Sequence, residues 1–257
     1  MHAMNRAALA FALALPAQAG LAATCTAASA GGTTVLLELY TSEGCSSCPL
    51  ADRWLSGLAR SGLVPGKVVP LALHVDYWDS LGWHDRFSSA AFSRRQGEMV
   101  RAGGGRSVYT PQVLLGGRNL RDWHNSDAFV RAVRTATEKP AKAKLALQLT
   151  SGEAGAWSGE LSGTLPGATV QAYVAVYENG LFSEVRAGEN RGARLNHDYV
   201  VREWIGPLKL ERGDRFQTGF KLPARADIDY SRAGVAAFLQ DPANGEILQA
   251  VALAFCR

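Results

Sequence analysis

The chain has 257 residues, of which 47% are hydrophobic and 19% charged, enough to bury one large core or two smaller ones. That balance excludes disordered and collagen-like classes. Lys plus Arg exceed Asp plus Glu by only 27 to 23, and the excess is spread over both halves, so nothing argues for a nucleic-acid partner.

The first residues read as an address. Arg6, the apolar residues 7–15 and the small-x-small site Ala17-Gln18-Ala19 make up a secretory signal peptide over residues 1–19, with an apolar run too short to cross a bilayer. The expected location is periplasmic or secreted. A second small-x-small site, Ala28-Ser29-Ala30, also fits cleavage and would discard Cys25. A lipoprotein signal ending at Cys25 is disfavoured because Thr24 is bulkier than the small residue expected before a lipidated cysteine.

From residue 33 to about 140, short buried strands alternate with helices. Residues 35–40 form a continuous apolar run interrupted only by Glu38, typical of a strand covered on both faces. A helix follows from Cys48 to Arg60, then a second strand over 68–75 whose Pro70 disfavours full pairing at that position. Residues 86–102 read as a helix stopped by Gly103-Gly104-Gly105, with Arg94, Arg95, Arg101 and Arg106 expected on a solvated face. Residues 113–115 and 118–120 flank Gly116-Gly117 as a hairpin. Asn125 or Ser126 caps a last helix to Thr137. From residue 143 to 257 the alternation is strand-like throughout, giving seven or eight strands and an expected β-sandwich.

Export gives the four cysteines an oxidising surrounding. Cys45-Ser46-Ser47-Cys48 is a local C-x-x-C, which leaves Cys25 and Cys256 for a structural disulfide between the chain ends. Cleavage after Ala30 would instead leave Cys256 free. The C-x-x-C sits where a strand turns into a helix. There the macrodipole and free amides stabilise a thiolate, so Cys45 is expected to be the exposed attacking thiol and Cys48 the buried resolving one. The competing reading is an inert disulfide at a helix start. Glu38 could exchange a proton with Cys48, or it could reach solvent at a sheet margin. Tyr77-Trp78-Asp79 and Trp83-His84-Asp85 form an aromatic and acidic cluster after the second strand, in which Trp78 is a candidate substrate contact and a Trp ring can also simply cap the core. His74 reads as a core histidine. Residues 188–192 and 196–198 read as polar turns.

The element order, the C-x-x-C after the first long strand, and Thr110-Pro111 before the hairpin resemble the thioredoxin superfamily over residues 33–140. More closely, residues 38–49 (ELYTSEGCSSCP), 74–83 (HVDYWDSLGW) and 108–112 (VYTPQ) resemble a bacterial secreted thioredoxin-like family catalogued as domain of unknown function 1223. The resemblance implies an α/β thioredoxin-like domain followed by the all-β sandwich. It also implies a cis Pro111 packed beside the cysteine pair, and Tyr109, Thr110 and Pro111 as substrate-binding positions. Zinc would need a second ligand pair that is absent from the sequence. Cu(I) held by Cys45, Cys48 and His74 or His84 would need the space assigned to Pro111. No metal or cofactor is therefore expected. The function expected is an exported thiol-disulfide oxidoreductase, favouring reduction or isomerisation of protein or small-molecule thiols and disulfides, with a membrane or periplasmic electron donor. The alternative is a non-catalytic scaffold carrying a β-sandwich binding module.

Overall fold

A computed structural model of the chain describes residues 22–64, 66–165, 169–208, 210 and 213–256, so the expected signal peptide lies outside the described residues. The fold is mixed α/β, rich in strands and poor in helices. Strands β1 (Thr24–Ala28) and β2 (Val35–Thr41) are followed by helix α1 (Cys48–Gly57), β3 (Val68–His74), α2 (Ala90–Ala102), β4 (Gln112–Leu115), β5 (Arg118–Asn119) and α3 (Ser126–Thr137). Among the described residues, only strands and one short 3-10 turn come after: β6 (Lys144–Ser151), β7 (Trp157–Thr164), β8 (Gln171–Glu178), β9 (Leu181–Glu184), β10 (Arg194–His197), β11 (Val200–Leu208), β12 (Arg215–Leu222), β13 (Ala233–Gln240) and β14 (Ile247–Ala254). The second helix starts four residues later than its composition suggests. Ser89 caps it by accepting from the Ala91 amide, while Asp85 ties down the preceding turn through the Phe87 amide.

The strands form an eight-stranded mixed sheet ordered β14-β13-β8-β11-β3-β2-β4-β5, a four-stranded antiparallel sheet ordered β1-β6-β7-β12, and the β9–β10 hairpin. The boundary expected near residues 138–142 separates two patterns of secondary structure but not two sheets. The parallel contact of β11 with β3 at Val200 and Ala72 carries the large sheet across it. This contact also accommodates Pro70. The Ala72 amide donates to the Tyr199 carbonyl at 2.8 Å, and two residues earlier, on the same edge, β11 has no register partner for the proline.

Alternation along the strands sorts the cores. Leu36, Tyr40, Leu71, Leu73, Leu114, Tyr173, Ala175 and Phe238 meet Phe92 and Met99 of α2 on one face of the large sheet. On the other face, Leu37, Leu39, Val68 and Val113 meet Ala51 and Leu55 of α1 and Phe129 and Val133 of α3. Beside them, Val174, Val176, Val235 and Ala237 face Leu145, Leu147, Leu161 and Phe220 of the four-stranded sheet. No strand pattern is legible before residue 35, yet β1 pairs with β6 along five residues. It carries Cys25, which is disulfide-bonded to Cys256 with Cα atoms 5.9 Å apart.

Candidate functional site

Helix α1 begins at Cys48 with Pro49 in its first turn, where amide donors lack helical partners, so the proline costs nothing. Cys45 and Cys48 are disulfide-bonded, Cα atoms 5.4 Å apart, in the turn that leads from β2 into α1. The Cys48 amide donates to the Cys45 carbonyl at 3.2 Å, and Cys45 Sγ lies 3.3 Å from Ser47 Oγ. Tyr40 pairs with Gln112, so Thr110 and Pro111 lie at the end of β2 from which the dithiol turn departs; their peptide bond is cis, as is that of Gly206 and Pro207. Trp78 bridges the two segments. Its indole donates to Thr110 Oγ1 at 2.8 Å, and its Cβ sits so close to Gly44 that a Cβ there would approach it to 3.2 Å. Tyr109 is exposed, with its carbonyl held by Gln96 at 2.8 Å and its hydroxyl donating to Asn119 at 3.1 Å.

Exposure of Cys45 is where the expectation fails: it is only 1% exposed, hardly more than Cys48 at 0%. The cover is the loop between β9 and β10, the polar turn whose position the sequence did not disclose. Asn190 Nδ2 donates to the carbonyls of Glu43 at 2.8 Å and of Cys45 at 2.9 Å, and Glu189 accepts from the Ser46 amide at 2.9 Å. Helix α1 has no side-chain cap and no acidic residue in its own first turn. Glu189 supplies that negative charge from 143 residues away, and its carboxyl is lowered by the hydrogen bonds to Ser46. Gly188 adopts φ +72, which lets the loop lie against Trp83.

Beneath the dithiol lies a buried polar network. Asp52 follows Cys48 by four residues and therefore faces the same side of α1 one turn on, and both side chains are buried. His74 Nδ1 and Asp85 Oδ2 are 2.6 Å apart, and the same oxygen accepts from the Glu43 amide at 2.9 Å. Burial alone would lower His74, but Asp85 outweighs it and raises the imidazole to about 9; burial would raise Asp85, but His74 draws it down to about 2. Burial pushes Asp52 up. It pushes Glu43 the same way, but there the facing His197 dominates, helped by the Trp83 indole donating at 2.7 Å, and the carboxyl falls below its usual range. His197, at the end of β10, places Nε2 3.3 Å from Glu43 Oε1 and Nδ1 3.8 Å from Asp52 Oδ2.

Glu38 does not belong to this site, and both readings of it are corrected. It is fully buried, so it does not reach solvent. Its even position on β2 turns it, with Leu36 and Tyr40, toward α2 and away from α1. There its Oε1 takes Arg95 Nε at 2.6 Å and the Tyr40 hydroxyl at 3.0 Å. Arg95 is accordingly buried and not on the solvated face, with its guanidinium 4.8 Å from the Trp204 ring centroid and 5.0 Å from that of Phe238. The structure thus gathers Cys45, Cys48, Trp78, Thr110 and Pro111 at one end of the sheet. It adds Glu43, Asp52, Asp85, Glu189, Asn190 and His197, and it removes Glu38.

A family model described as a protein of unknown function, DUF1223, matches residues 36–240. The chain belongs to this family. The DUF1223 match runs from β2 to the end of β13, so it takes in the dithiol, the covering loop and His197 but neither Cys25 nor Cys256. In structure, this DUF1223 chain is similar to protein AGR_C_4864 from Agrobacterium tumefaciens, with 25% identity, a TM-score of 0.58, and coverage of 88% of this chain and 94% of that one. It is also similar to HBP35 of Porphyromonas gingivalis, with 15% identity, a TM-score of 0.66, and coverage of 88% and 76%, a likeness of fold alone. No curated protein matches the chain.

Proposed function

We propose that this protein is an exported thiol-disulfide oxidoreductase. In this reading residues 33–140 are a thioredoxin-like unit, residues 143–257 a β-sandwich built onto it, and the Cys45–Cys48 pair is the redox centre. The observation that carries the reading is the cysteine pair at the start of α1, with Thr110, Pro111 and Trp78 at the same end of the sheet. A thiolate of the substrate attacks Cys45 Sγ, the Cys45–Cys48 bond breaks, and a mixed disulfide forms on Cys45. The departing Cys48 thiolate takes a proton from Asp52, whose carboxyl burial raises above its usual range and which takes the role that the sequence suggested for Glu38. In the reverse direction the Cys48 thiol returns its proton to Asp52, attacks Cys45 Sγ of the mixed disulfide and releases the substrate as a thiolate.

Substrates in this reading are protein or small-molecule thiols and disulfides, the compartment is the periplasm or exterior, and electrons come from a membrane or periplasmic donor. Ser46 and Ser47 bring no positive charge and Glu189 brings a negative one, so the Cys45 thiolate is weakly stabilised, which favours reduction or isomerisation over strong oxidation. Access requires displacement of the loop held by Asn190. The burial of Cys45 favours the second reading, a scaffold whose disulfide is inert and whose β-sandwich binds a partner. Insulin-disulfide reduction and oxidative refolding by the purified protein, with Cys45→Ala as control, separate the two. Turnover lost in the variant supports the oxidoreductase, and a wild-type rate equal to buffer overturns it.

A further inference from the structure

His74 and His197 are both buried and their rings meet edge to face with centroids 5.1 Å apart, but they are held differently. His74 is locked by its Nδ1 contact to Asp85 at 2.6 Å. A purely structural imidazole normally makes such a bond, because a buried nitrogen left unpaired loses its hydration without compensation. Neither nitrogen of His197 makes one. Instead the ring lies between two carboxylates, with Nε2 facing Glu43 and Nδ1 facing Asp52. Around it, Thr41 Oγ1 and Ser183 Oγ are also buried without partners. The ring is therefore positioned between two acceptors and fixed to neither.

We propose that His197 is a positioning and proton-relay residue that reloads Asp52, the group beside Cys48, and so couples the β9–β10 hairpin to the chemistry of the dithiol. The proposal rests on the oxidoreductase reading. When Cys48 leaves as a thiolate it takes the Asp52 proton, and the resulting Asp52 carboxylate takes one from the His197 imidazolium at Nδ1. Glu43, ionised, balances the imidazolium charge at Nε2, and neutral His197 is left to be reprotonated from solvent. No electrons move in these hops, and in the opposite direction the same proton returns from Cys48 through Asp52 to His197. The charged and titratable groups facing this ring come from every element around it: Glu43 from the end of β2, Asp52 from α1, His74 from β3, and Asp85 ahead of α2 through His74. Because His197 belongs to the hairpin that covers Cys45, cover and proton supply are parts of one element.

The test uses the whole oxidised protein, with reduction of its own Cys45–Cys48 bond by excess dithiothreitol followed by tryptophan fluorescence between pH 5 and 9. The rates are corrected for the thiolate fraction of the reagent. His197→Gln is expected to slow reduction about tenfold at pH 7 and to change the shape of the pH profile, since glutamine keeps hydrogen bonding but carries no proton. In His197→Ala, added imidazoles should restore the rate in the order of their pKa values. A His197→Gln rate within twofold of wild type overturns the proposal. So does an equal slowing at every pH, which marks a packing role. The assay does not require turnover of an external substrate. A wild type that reduces insulin while His197→Gln behaves normally refutes the relay alone, and a wild type inert toward insulin refutes the oxidoreductase reading.

Discussion

Replacing Asn190 with alanine removes the two hydrogen bonds, at 2.8 and 2.9 Å, that hold the β9–β10 loop over the carbonyls of Glu43 and Cys45. Each intramolecular hydrogen bond is worth about 0.5–1.5 kcal/mol net, so the closed arrangement loses about 1–3 kcal/mol. At 1.4 kcal/mol per tenfold, the open population rises by about 5- to 150-fold. Cys45 is only 1% exposed, so a reagent must wait for opening, and its rate follows that population until opening itself becomes limiting. The measurement is the pseudo-first-order reduction of the Cys45–Cys48 bond by dithiothreitol, with Arg191→Ala, an exposed change on the same loop, as the control. Asn190→Ala should accelerate reduction at least fivefold while Arg191→Ala stays within twofold of wild type. An Asn190→Ala rate unchanged within twofold, in a protein with unaltered circular dichroism, would refute the idea that this loop limits access.

Other consequences follow from the same contacts. Cys48→Ala should accumulate a mixed disulfide with substrate through Cys45, seen by intact mass, and Cys45→Ala should not; equal trapping by both breaks the assignment of roles. Glu189→Gln removes the only acidic contact at the α1 N-terminus among the described residues and should lower the Cys45 thiol pKa by about 0.5 unit, read from the pH dependence of alkylation of the reduced protein. Reducing or replacing the Cys25–Cys256 pair frees a 231-residue separation. The chain-entropy ceiling is about 5.5 kcal/mol, so Tm should fall by on the order of 10 °C in a thermal melt. The His74–Asp85 pair stabilises fully between the unfolded pKa of Asp and that of His, about pH 4 to 6.5. Because His74 is raised to about 9 and Asp85 lowered to about 2, that stabilisation fades as pH rises from 6.5 through 9 and as it falls from 4 through 2. Urea titrations of wild type and Asp85→Asn should therefore differ most at pH 4–6.5, by at most about 3 kcal/mol, and converge toward pH 9. A difference that grows with pH would contradict the pairing.

Local pattern was sufficient for the elements of the first half. The runs at 35–41 and 68–74, the Asn125 cap with Oδ1 3.0 Å from the Ala128 amide, and the glycine hairpin after β4 are each decided by neighbours within a few residues, and so is the position of Cys45 ahead of a helix. What those residues face is decided across the chain. Glu38 looked available to the dithiol because sequence distance hides the two-residue alternation that sends it to the opposite face of β2, where Arg95 neutralises it. The polar turn at 188–192 carries no local sign that it lies on Cys45, since its contacts span about 145 residues. His197 and Asp52 are an ordinary strand-end histidine and an ordinary helix aspartate until folding buries them together. Their meeting, with Nδ1 and Oδ2 3.8 Å apart in the buried interior, is a property of the assembled fold that no local window contains.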